Sequence, residues 1–230
     1  MGLFIEVGIL ADLRENDEEG SEYWRTQFEL LNTYLNRVGL PRHDEPNNCE
    51  IWGCAMYGYS GLHYIRRLAA HLDCGNDFPP PGAEESSNDV ILQNYYKEAT
   101  RGKTNIIQGF FNRPLKYKFG FDHLILHSDS EGLYVPIEFD KVLFPSADLG
   151  IVGGMLGSTV KLLQECELLA SALEIPSNIN EKSDDLGEAP DLQGEAEIKW
   201  QKYGVESFTC VHLIKACRQS IKTGAAIVFT

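Results

Sequence analysis

Leu3-Phe4-Ile5-Glu6-Val7-Gly8-Ile9-Leu10 opens the chain with apolar side chains at alternate positions, and Ala225-Ala226-Ile227-Val228-Phe229 closes it with a second apolar run. A period of two suits a strand with one well-buried face, so both ends read as β-structure. Helical stripes lie between them. Trp24, Phe28, Leu31, Leu35 and Val38 fall at steps of four and three, with Ser21 as the expected cap and Gly39 and Pro41 as the stop. Leu62, Ile65, Leu68, Ala69 and Leu72 form a second stripe behind Ser60. Val160, Leu163, Cys166, Ala170 and Leu173 form a third behind Ser158, and Val211, Ile214, Cys217 and Ile221 form another that Gly224 ends. A shorter helix is expected from Val90 to Thr100. Strands at both ends with helices between them predict an α+β fold, with α/β as the alternative. A mixed sheet would carry about four to five helices, and the last strand would lie near the first.

Further inward, Phe121 to His127, the turn Asp129-Ser130-Glu131-Gly132, and Leu133 to Phe139 read as a β-hairpin. Pro136 cannot donate to a ladder, which places its strand at an edge. Residues 75–89 and 177–197 read as acidic surface loops, the second mobile, because Pro, Gly and carboxylates there bury little. No internal repeat is present, and residues 1–230 read as a single domain.

Composition bounds the function. Forty-three per cent hydrophobic and 23% charged residues describe a globular chain. Thirty-four carboxylates against 20 Lys and Arg give a net charge of −14, which repels nucleic acid and anionic membrane and favours a basic protein partner. Glu6 interrupts the only N-terminal apolar run, no stretch has membrane-helix length, and no basic residue precedes that run as in an export signal. The expected location is therefore cytoplasmic, with Cys49, Cys54, Cys74, Cys166, Cys210 and Cys217 reduced.

Several groupings have both a chemical and a structural reading. His127, Asp129 and Glu131 alternate near a turn and suit a divalent transition metal, yet Asp129, Ser130 and Gly132 are also ordinary turn residues. His43, Cys49, Cys54 and either Cys74 or His63 have the ligand types of a zinc site, but Cys-x4-Cys is loose spacing and no second Cys pair follows. Gly153-Gly154-Met155-Leu156-Gly157-Ser158 resembles an anion cradle without the Lys of a P-loop. Gly58-Tyr59-Ser60-Gly61-Leu62 lacks a nucleophile elbow's second Gly. His63, Arg66, Arg67 and His71 make one side of their helix cationic; with Arg113, Lys116 and Lys118 they would frame a pocket for a small anionic ligand, or else pair with surface carboxylates.

Gly39-Leu40-Pro41-Arg42-His43-Asp44-Glu45-Pro46, Leu62-His63-Tyr64-Ile65-Arg66-Arg67, His127 through Pro136, and Gly153 through Ser158 together resemble an uncharacterised, mostly bacterial family. The resemblance carries over no activity, catalytic residue or cofactor. It implies that His43, His63, His127 and Asp129 come together in space.

Two functional classes follow. The first is an acidic cytosolic binding protein that engages a basic partner in the manner of an immunity or antitoxin protein. The alternative is a small-molecule enzyme or ligand-binding domain that uses His43, His63, Arg67, His127, Asp129 and Glu131, with or without a metal. No cofactor is named by the sequence, and whether the chain is an enzyme stays open at this point.

Overall fold

The opening alternation becomes strand β1 (Phe4–Val7), with Ile5 and Val7 fully buried. The computed structural model describes residues 3–82, 86–101, 117–118, 120–127 and 131–229. After β1 come α1 (Ile9–Asn16), α2 (Glu18–Arg37), β2 (Trp52–Ala55), α3 (Gly58–Asp73), α4 (Val90–Arg101) and α5 (Asp122–Ile125). Then follow β3 (Leu133–Val135), β4 (Leu156–Ser158), α6 (Thr159–Ala172), α7 (Asp184–Glu188), α8 (Lys199–Lys202), α9 (Gly204–Thr223) and β5 (Ile227–Phe229). The five strands form one sheet in the order β2-β1-β5-β3-β4, antiparallel except for β3 beside β4. This is an α+β fold with a mixed sheet. The terminal strand pairs with the first, Ile5 opposite Phe229.

The strands alternate between two cores. Ile5, Val7, Tyr134, Ile227 and Phe229 face the layer that holds α3, α6 and α9. Leu133, Val135, Leu156, Ala226 and Val228 face Ile9 and Leu10 of α1 and Trp24, Phe28, Leu31 and Leu35 of α2. Full burial of each such side chain contributes about 1.5–3 kcal/mol, so helices on both sides are what stabilise strands this short. Gly8 at φ 95° turns the chain directly from β1 into α1, a conformation that strains any residue with a Cβ.

Several expectations are corrected. Ile9 belongs to α1 and not to the strand, and Asp17 instead of Ser21 caps α2, accepting from Gly20 N at 2.9 Å. Helix α3 starts at Gly58, ahead of the expected Ser60 cap. The hairpin at 121–139 does not form: 122–125 is the short helix α5, and β3 lies inside the sheet between β5 and β4. Pro136 is compatible with an interior β3 because the strand ends at Val135.

The last concerns residues 177–197, which contain α7, a 3-10 turn (Ala189–Leu192) and the buried Leu186, Ala189 and Pro190. Apolar residues too widely spaced to set a period are nevertheless enough to dock this segment on α9.

Candidate functional site

One run of exposed carboxylates lies on that docked segment. Asp184 and Asp185 occupy the first turn of α7, where the helix dipole favours carboxylates. Leu186 points inward, forming a cluster with Ala189, Trp200 of α8 and Val211 of α9, against which Ile175, Ile179 and Phe208 pack. Polar clamps complete the attachment. Gln193 donates to Glu206 Oε2 at 2.8 Å and accepts from Val205 N at 2.9 Å; Gly194 N donates to Lys202 O at 2.8 Å, and Ser207 Oγ donates to Trp200 O at 2.7 Å. Gly204 allows the closest approach, since a Cβ there would fall on the Ala189 carbonyl. Burial pushes the Glu206 carboxyl above its ordinary range, while the Gln193 amide opposes this.

Residues 177–197 carry seven carboxylates against Lys182 alone. Glu181 pairs with Lys215 at 3.2 Å. Asp184, Asp185, Glu188, Asp191, Glu195 and Glu197 are exposed and have no ion pair among the described residues. With an α-helical rise of about 1.5 Å and a 3-10 rise of about 2 Å per residue, Asp184, Asp185, Glu188 and Asp191 span about 12 Å of axis. That is one charge per about 3–4 Å, the axial density of a single DNA strand at one per about 3.4 Å. A second acidic turn, with Asp17, Glu18, Glu19 and Glu22 exposed beside the half-exposed Tyr23, opens α2 across the sheet from α9.

Of the residues singled out from sequence, His43, Arg67 and His127 make contacts that hold the fold together. His43 Nε2 meets Glu45 Oε2 at 2.6 Å with both side chains buried, and the same oxygen accepts from Ala226 N, tying the loop after α2 to β5. Asn32 holds the His43 backbone from both sides. The shallow depression beside His43, about 400 Å³, is lined by Arg25, Glu29, Arg42 and Asp44 among others, and Arg42 is already paired with Glu29 and Asp44. His63 is half-buried on α3.

The cationic side expected to face solvent or ligand instead has both arginines buried. Arg67 bonds Asp89 at 2.9 Å and Pro80 O at 3.1 Å, His71 shares the same carboxylate, and Asp89 caps α4 through Ile91 N and Leu92 N. Of the other expected pocket cations, Arg113 and Lys116 lie outside the described residues.

His127 stacks on Tyr134 at 3.9 Å with its Nε2 on Leu133 O at 3.0 Å. Glu131 is exposed, and Asp129 lies outside the described residues. No group of three or more His, Cys, Asp or Glu among the described residues could hold a metal ion. The glycine cradle is also occupied, because Ser158 N donates to His123 Nδ1 at 2.9 Å and Ser158 Oγ to Ile137 O at 2.7 Å.

Sequence reasoning missed the charges that build α5. Glu165 accepts from His123 N at 2.9 Å and Leu124 N at 2.7 Å, while Arg66 donates to Leu124 O and His127 O, both at 2.9 Å. Both ends of one buried helical turn are thus satisfied by side chains from α6 and α3. Burial pushes Glu165 up to about 8 against those two N–H donors, and holds His123 down at about 4, so its imidazole is neutral. No local signal marks such partners, which are 41 to 61 residues away.

Fold and surface together define an α+β protein with a packed acidic segment whose exposed carboxylates have no ion pair among the described residues, and with no metal-holding cluster among those residues. The chain belongs to the family described as "Putative DNA-mimic protein", whose model matches residues 1–229. No curated protein and no solved structure matches it. The family corrects the functional expectation: a DNA mimic meets DNA-binding proteins, so both the immunity- or antitoxin-like analogy and the His/Asp/Glu enzyme or ligand-binding alternative give way. The family description agrees in broad terms with a basic protein partner and suggests one that binds DNA, and the absence of nucleic acid from the expected partners is consistent with it. Among the described residues, no helix is long and apolar enough to cross a membrane.

Proposed function

We propose that the chain occupies the DNA-binding surface of a basic protein, with Asp184, Asp185, Glu188 and Asp191 standing in for one run of phosphates and Glu195 and Glu197 extending it. The observation that carries this reading is the combination of exposure, absence of ion pairs among the described residues and packed attachment through Leu186, Ala189 and Trp200. Carboxylates already paired would have to exchange partners, and carboxylates on a floppy loop would lose ordering entropy on binding; these do neither. A positive cleft built for a strand of phosphates then meets a similar axial charge density on a preorganised surface. We place this encounter in the cytosol, in keeping with six free cysteines.

Duplex DNA is the diagnostic competitor. Proteins retained on the immobilised chain at low salt should be released by excess duplex and should not be retained by the variant Asp184→Asn/Asp185→Asn/Glu188→Gln/Asp191→Asn. Retention that duplex does not disturb, or that survives in the neutralised variant, contradicts the reading.

A further inference from the structure

Strand β2 ends the sheet, and among the described residues no strand pairs with its outer side. Met56 N donates to Leu3 O at 2.9 Å, and the register sets Phe4 opposite Ala55 and Glu6 opposite Gly53. Gly53 and Ala55 therefore sit in the pairs that exchange no hydrogen bonds with β1, and their N–H and C=O groups point away from the sheet. Both residues are exposed, and Cys54 Sγ, on Ala55 O at 3.2 Å, is their only outward partner among the described residues. The opposite edge is closed, because Leu143 exchanges both backbone bonds with Leu156 of β4.

Exposed edges are normally guarded by charge, proline or a bulge. Ile51-Trp52-Gly53-Cys54-Ala55-Met56-Tyr57 has neither charge nor proline, in a chain with 34 carboxylates and 20 Lys and Arg. Ile51, Tyr57 and Phe4 are 45%, 46% and 38% exposed beside it. Glu50, just before the strand, is already paired with Lys222 at 2.7 Å.

We propose that β2 pairs antiparallel with β2 of a second copy of this chain about a two-fold axis, joining two five-stranded sheets into one. The charge distribution selects this occupant. A basic partner would call for free carboxylates along the edge, whereas a neutral apolar seam is complementary to itself, as a two-fold contact requires. Two copies of charge −14 repel at long range, and salt screens that repulsion within about 8 Å at physiological strength. Self-association therefore strengthens with salt, opposite to the binding of a basic protein.

Sedimentation equilibrium of the full chain at low and high salt, up to about 100 µM, tests this. The expected result is a dimer whose dissociation constant falls with salt. Ala55→Lys, which charges the edge, and Ala55→Pro, which removes its outward donor, should each weaken the dimer at least about tenfold with unchanged circular dichroism. A monomer at the highest concentration in high salt overturns the proposal, as does an Ala55→Lys dimer of unchanged affinity. Association that weakens with salt points to a charged occupant and also overturns it. The DNA-mimic reading is tested separately, since Ala55→Lys leaves the acidic platform untouched.

Discussion

Leu186→Ala separates rigid mimicry from mere negative charge. Leu186 is 1% exposed among Ala189, Trp200 and Val211. Leu-to-Ala changes at buried sites cost about 2–5 kcal/mol; this small cluster beside α9 can partly collapse into the space left, which favours the lower end, about 2–3 kcal/mol. The segment is a satellite of the main cores, so the loss falls mainly on local opening and not on global unfolding. Opening of α7 and the 3-10 turn should become about 30- to 150-fold more frequent. Amide exchange at 184–192 reads this directly, with the amides of β1 and β5 as the unchanged reference. Net charge stays at −14, so retention of DNA-displaceable partners should fall only if a fixed array of carboxylates is what they recognise. Faster exchange with undiminished retention refutes the rigidity argument, and unchanged exchange refutes the packing argument beneath it.

Gly204→Ala should produce the same loss of retention by another route, since its Cβ displaces the Ala189 carbonyl at a cost of about 1–3 kcal/mol, visible as a lower melting temperature. Glu165→Ala leaves the buried His123 and Leu124 N–H groups without their acceptor; a loss of about 3 kcal/mol or more should appear in urea unfolding, with retention intact while the protein is folded. Burial, with Asp12 nearby, raises Glu6 from 4.5 to about 7, so the fold favours its neutral form. Its contribution to stability is therefore complete below pH 4.5 and lost as pH rises through 7. Glu6→Gln should narrow the difference in melting temperature between pH 5 and pH 8, and an unchanged difference would contradict this. His127→Phe keeps the stack on Tyr134 but loses the bond to Leu133 O, costing about 1 kcal/mol in chemical unfolding without affecting retention.

The parts of the fold legible in the sequence are those with a sustained period. Leu31 and Leu35, Ile65 and Leu68, and Cys166 with Leu173 belong to helical stripes and are buried, although Val38 and Ile221 at the ends of theirs are exposed, and the two terminal runs do form neighbouring strands. What failed depends on partners far along the chain. Phe121 to His127 alternates like a strand, yet Glu165 and Arg66 satisfy the ends of a helical turn there, and nothing within the segment announces them. The acidic stretch looked like a solvated loop because Leu186, Ala189 and Trp200 are too sparse to show a period, although three such contacts are enough once α9 supplies the other half. Histidines drew attention as chemical groups, but His43 and His127 are held by Glu45 and Tyr134 as parts of the scaffold. Net charge was legible from composition; its arrangement on a segment packed against α9 was not.

The central claim rests most directly on the salt dependence of the complex between the chain and a DNA-displaceable partner. With the native platform, affinity should fall steeply as salt rises. The variant Asp184→Asn/Asp185→Asn/Glu188→Gln/Asp191→Asn should bind at least about tenfold more weakly at low salt, with a shallower slope, and the two should converge at high salt. Equal affinity and equal slope for the two proteins would contradict the account.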